Sequence, residues 1–106
     1  MASAKFHHFG VPTTVRAENE IFIEGARVHV TDPESHPYGI EFLRFEPDSQ
    51  MPDILKTKCH AAFMVESLEN ALKDQNVLIA PFDAGDTIRV AFITDGDALI
   101  ELMETK

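Results

Sequence analysis

The chain is 106 residues long, carries a formal net charge of -9, holds one cysteine and is 44% apolar. That length supports one modest hydrophobic core and not two independent ones. The acidity excludes a phosphate-neutralising nucleic-acid surface and binding to anionic membranes, and the single Cys59 excludes an internal disulfide or a thiolate-rich metal cluster.

The first residues, Met-Ala-Ser-Ala-Lys-Phe-His-His, lack the apolar core of a secretory signal. No apolar run approaches the roughly 20 residues needed to cross a bilayer. A cytoplasmic protein with no nucleic-acid and no membrane partner is the expectation. Lys5 to Val11 reads as a short strand stopped by Pro12. Residues 12–19 show no helical periodicity and read as a loop. Glu20 to Ile23 is a second strand, Glu24-Gly25 a turn, and Ala26 to Thr31 a third strand. Asp32 to Pro37 is a proline-bearing loop, and Tyr38 to Phe45 a fourth strand. Glu46 to Lys58 is a connector in which Met51, Ile54 and Leu55 can anchor one helical turn.

Cys59 to Val65 is a fifth strand. Ser67 is placed to cap a helix running to about Asp74, with Leu68, Ala71 and Leu72 on one face. Val77–Ile79, Thr87–Ile93 and Ala98–Met103 complete the strands, with turns at Pro81–Asp86 and Asp95-Gly96. The order of elements repeats. Residues 5–46 read strand, loop, strand, strand, strand; residues 59–104 read strand, helix, strand, strand, strand. His8-Phe-Gly-Val lies against His60-Ala-Ala-Phe, and Gly39-Ile-Glu-Phe-Leu against Leu99-Ile-Glu-Leu-Met.

Each copy therefore opens on a strand histidine and closes on a strand glutamate. Alternation puts Glu41 on a face with Leu43 and Phe45, and Glu101 on a face with Leu99 and Met103. A carboxylate on an apolar face must be solvated, paired or bound to a metal. His8, Glu41, His60 and Glu101 form a two-nitrogen, two-oxygen donor set suited to a divalent ion such as Zn, Ni, Mn, Co or Fe. Salt bridges from Arg44 and Arg89 are the structural alternative, which parity weakens for Arg44. His7 competes with His8. Because Gly10 follows His8 at two residues, as Ala62 follows His60, His8 is favoured as the ligand and His7 as a surface or packing residue. His29 and His36 read as structural histidines and Cys59 as a small core hydrophobe. Met64 and Met103 are candidates for a cavity wall.

With these residues in place, the chain resembles the vicinal oxygen chelate superfamily of glyoxalases, bleomycin resistance proteins and extradiol dioxygenases. The likeness covers nearly the whole chain and is strongest from Cys59 to Met103. It implies an α+β fold of two tandem βαβββ-like modules forming a cup-shaped curved sheet, here with the first module lacking its helix. It implies metal ligands at His8, Glu41, His60 and Glu101, with Glu101 also the catalytic base. The implied activity is that of a metal-dependent lyase or isomerase whose small substrate chelates the metal through two adjacent oxygens. The alternative it implies is a binder without turnover that sequesters a drug or antibiotic. The missing helix leads to one more expectation. The outer face bearing Phe9, Val11, Ile40 and Phe42 should be covered by the Met51–Leu55 connector or by a second subunit in a homodimer.

Overall fold

Eight runs rich in β-branched and aromatic residues can satisfy their backbone groups only by pairing with one another. In the computed structural model, which describes residues 4–106, all eight do so in one sheet. The strands are β1 (Lys5–Pro12), β2 (Ile21–Ile23), β3 (Val28–Val30), β4 (Ile40–Phe45), β5 (His60–Met64), β6 (Asn76–Asp83), β7 (Ile88–Asp95) and β8 (Ala98–Thr105). Two short helices accompany them, α1 (Asp53–Thr57) and α2 (Leu68–Ala71), with a 3-10 turn at Pro33–Ser35. The order across the sheet is β2-β3-β4-β1-β5-β8-β7-β6. β1 runs parallel to β4 and β5 parallel to β8, while β1 and β5 meet antiparallel at the centre. The result is a mixed α+β fold built on a curled half-barrel. Among the described residues no helix is long and apolar enough to cross a membrane.

The sheet has two differently built faces. On the concave side Leu55 of α1 packs with Ala62, Val90, Phe92, Leu99 and Met103, and Ala26, Val28, Val30 and Leu43 form a neighbouring cluster. Phe82 packs against both clusters and lies beside Gly25, so the two outer parts of the sheet curl toward each other. On the convex side α2 covers one half. Ser67 caps it by accepting from the Asn70 amide, and Leu68 packs with Ala91, Ile93 and Leu102. This helix stops short of Asp74, its C-cap falling at Leu72, and Asp74 turns the chain at φ 62.

Among the described residues no helix covers the other convex half. The connector expected there goes to the opposite face, because α1 turns Leu55 into the concave core, where it is 2% exposed. Phe9 is left 49% exposed. The 17–19 loop and His36 share a shallow hollow with Ile40 and Phe42. Beyond them charge takes over: Arg44 donates two hydrogen bonds to Glu20 at 3.0 and 2.6 Å, and His29 lies 2.8 Å from Glu46.

A second departure concerns β6, which runs straight through Pro81 where a turn was expected. The missing amide is tolerated because β6 is the edge of the sheet, and the register shifts between Ile79 and Phe82 to absorb it. Cys59 is also not in the core but exposed, since the inward position at the start of β5 belongs to His60.

Two outcomes follow. Leu55→Ala removes the anchor of α1 and should lower the unfolding free energy by about 2–5 kcal/mol, read from urea titration. The Arg44 guanidinium holds the Glu20 carboxyl at about 2, below the unfolded value, so its contribution is present above the ordinary carboxylate range and is lost as pH falls toward 2. Glu20→Gln should therefore melt a few degrees below the parent at neutral pH. That gap should close between pH 4.5 and 2 when thermal melts are followed across pH.

Candidate metal centre

The four strands at the middle of the sheet, β4-β1-β5-β8, each contribute one polar side chain to the concave face. Their register explains how. Gly10 pairs with Glu41 on one side and His60 on the other, and Ala62 pairs with His8 on one side and Glu101 on the other. Two rows result, Glu41–Gly10–His60 and His8–Ala62–Glu101, each with a small residue between two large polar ones. The small residues noticed along each strand work across the ladder. A Cβ on Gly10 would fall inside the van der Waals envelope of the His60 ring.

The two rows converge. His8 Nε2 lies 3.3 Å from Glu41 Oε1 and 3.5 Å from Glu101 Oε1. His60 Nε2 makes a 3.0 Å hydrogen bond with the same Glu101 oxygen. One donor atom from each of the four residues lies within 4.8 Å of all the others. His8, His60 and Glu101 are buried and Glu41 is largely so. Phe92 stands edge-on to the His60 ring, centroids 5.2 Å apart, and holds its plane. The structure thus brings together all four residues singled out from the sequence.

Electrostatics give the cluster its character. Burial opposes protonation of His8, yet the neighbouring Glu101 and Glu41 carboxylates raise its imidazole to about 9. Burial also opposes ionisation of Glu101, but the His60 and His8 imidazoles outweigh it and hold the carboxyl below its ordinary value. His8 Nε2 nonetheless has no aligned hydrogen-bond partner. It sits close enough to both carboxylates to feel their charge without the geometry of a bond. Two carboxylates and two imidazoles aimed at one point require positive charge between them. A proton on His8 meets part of that need. A divalent ion meets it fully, and the nitrogen and oxygen donors suit one. The residues therefore fit a metal.

His7 has a role here that sequence reasoning did not find. Its Nδ1 lies 2.8 Å from His8 Nδ1, and its Nε2 lies 3.6 Å from Glu34 Oε2. One ring must donate to the other. If the hydrogen is on His8 Nδ1, then Nε2 faces the carboxylates with a free lone pair, the tautomer that a metal ligand needs. Strict alternation would have pointed His7 away. The register shift between Phe6 and His8 opens the strand and lets the adjacent rings meet. The His-His pair was the visible signal, but the bulge was not.

The candidate salt bridges lie elsewhere: Arg44 is taken by Glu20, and Arg89 lies 3.8 Å from Asp83. His29 bonds Glu46, and His36 accepts from the Tyr38 amide. Above the cluster opens a cavity of about 410 Å³ whose floor includes His8, Glu41 and Glu101. Met103 lines it, whereas Met64 packs against the same apolar cluster as Met103 without lining the cavity.

The chain matches no family model and no curated protein. Its fold is similar to that of a solved structure described as hypothetical protein BH1468 from Bacillus halodurans C-125. The TM-score is 0.74 at 18% sequence identity, over 98% of this chain and 96% of that one. At that identity the likeness speaks to the fold.

Gly10→Ala should displace the His60 ring, because the added methyl has nowhere else to go. The expected loss is about 1–3 kcal/mol of unfolding free energy, with the His60 ring resonances shifted in an NMR spectrum and the convex-face signals unchanged.

Proposed function

We propose that the chain is a glyoxalase-like divalent-metal protein of two tandem βαβββ-like modules, residues 5–46 and 59–104, joined by a connector at 47–58. The first module has a loop where the second has α2. Supporting this is the matching pairing of the two halves, β1 with β4 and β5 with β8, around the β1–β5 centre. The reading assigns His8, Glu41, His60 and Glu101 as ligands of Zn, Ni, Mn, Co or Fe. The observation that carries it is the convergence of four largely buried donors that includes an unpartnered imidazole nitrogen.

The activity proposed is that of a lyase or isomerase acting on a small molecule that chelates the metal through two adjacent oxygens. When bound, the ion supplies Lewis acidity to those oxygens. The chain's own residues supply the rest. His8, His60 and Glu41 hold the site, with His7 fixing the orientation of His8. Glu101 is the proposed base. Its side chain lines the cavity floor, and its carboxyl is held ionised despite burial, so it can accept a proton from the carbon beside a substrate carbonyl. The apolar walls above keep water from the reacting atoms.

The same apolar cavity also suits a binder that does not turn its ligand over, and metal content separates the two. Protein purified without an affinity tag should carry one equivalent of a first-row divalent ion by elemental analysis. His60→Ala and Glu101→Ala should lose it while keeping the far-ultraviolet circular dichroism of the parent. A parent that takes up none of the five ions after equilibration overturns the metal reading and leaves the binder.

A further inference from the structure

The walls of the cup say what kind of molecule stands on its floor. Of the described residues lining the cavity only His8, Thr31, Asp32, Glu41, Thr87 and Glu101 are polar, and three of those are carboxylates. None of the chain's nine Lys and Arg residues lines it. Those next in sequence to lining residues are engaged elsewhere: Arg27 with Asp48 and Glu24, Arg44 with Glu20, Lys56 with the Ser49 carbonyl, and Arg89 with Asp83. The rest of the lining is aliphatic or aromatic, from Val28 and Val30 on one wall to Ile88 and Val90 on the other.

The rim carries the same message. Edge strands are normally guarded by charge, yet β2 presents Ile21, Phe22 and Ile23 in succession, with Ile21 63% exposed. All three line the cavity. Their exposure is accounted for if the apolar wall continues outward along a bound molecule. A negatively charged group on the body of a ligand, held against these walls away from the floor, would lose its water, find no lysine or arginine and add to the charge of Asp32, Glu41 and Glu101. The volume of about 410 Å³ is in the range of sites for drug-sized molecules and exceeds what a bare two-oxygen chelate would fill.

We propose that the cup takes a ligand whose body is apolar and carries no negative charge, seated between the β2–β3 wall and the β7 wall, with a small oxygen-donor head directed at the floor. The head rests on the metal reading above; the body does not. Substrates whose tails are carboxylates, phosphates or sulfonates are thereby excluded, as are acidic peptide conjugates.

A matched pair of fluorophores tests the body without any metal: N-phenyl-1-naphthylamine, which is neutral, and 1-anilinonaphthalene-8-sulfonate, which adds one anionic group to the same rings. The neutral dye should bind the full chain at least about tenfold more tightly. Its binding should survive in a Phe6→Ser, Phe9→Ser variant, which removes the exposed aromatics of the convex face. Equal or tighter binding of the sulfonate, or loss of the neutral dye in that variant, overturns the proposal. In zinc-loaded protein, 4-butylbenzohydroxamate should displace the neutral dye, and 4-carboxybenzohydroxamate should require at least about ten times more. The reverse order overturns the proposal. Zinc stoichiometry is measured separately, so a failure of the metal reading shows itself there while the dye pair still decides the chemistry of the body.

Discussion

Everything in the centre of this molecule answers to one constraint: two carboxylates that cannot share a buried point unless positive charge lies between them. Hydrophobic burial accounts for the concave face as a whole, but it would be served as well by leucines at positions 8, 41, 60 and 101. Four ionisable side chains there weaken the core. They are held in place by packing around them. Phe92 is set against the His60 ring, Gly10 makes room for it, and Ala62 separates His8 from Glu101. Such local opposition between core formation and polar placement is typical of sites that serve something other than stability.

The sheet solves the placement by register. Side chains opposite each other on neighbouring strands stand too close for two imidazoles and two carboxylates to sit in one row. Splitting them into two rows, each with a small residue at its middle, leaves room for an imidazole to lean over the gap in its own row, as His60 does over Gly10. This depends on β1 and β5 being antiparallel to each other while each is parallel to its glutamate-bearing strand. A one-residue slip between β1 and β5 would turn His8 or His60 to the convex face. The convergence is therefore a property of the topology, and no single strand contains it.

The strands, the order of the elements and the four central residues were legible in the sequence because they obey short-range rules. Alternation marked the inward positions of Glu41, Glu101 and His60, and Ser67 announced its helix. What escaped depends on geometry that alternation does not encode. The strand shift at Phe6 and His8 brings His7 to His8. Pro81 is admitted into β6 only because nothing pairs on its far side. The direction taken by α1 depends on where an unfilled end of the concave core lies. Leu55 has no local feature that distinguishes a seat under the outer face from one inside the cup.

The curl of the sheet keeps the cavity open. An apolar pocket this size in a bundle of helices would tend to close by sliding, since packed interiors resist voids. Here the walls are strands of one hydrogen-bonded sheet, and their separation is set by its curl. Leu55 fills the cup at one place and Phe82 links its two apolar clusters near Gly25. On the uncovered outer half, Arg44, Glu20, His29 and Glu46 tie β3, β4 and the approach to β2 together from behind. The charged network thus bridges neighbouring strands where the other half of the sheet has a helix, while leaving the apolar residues of that half free to face inward and line the space above the four donors.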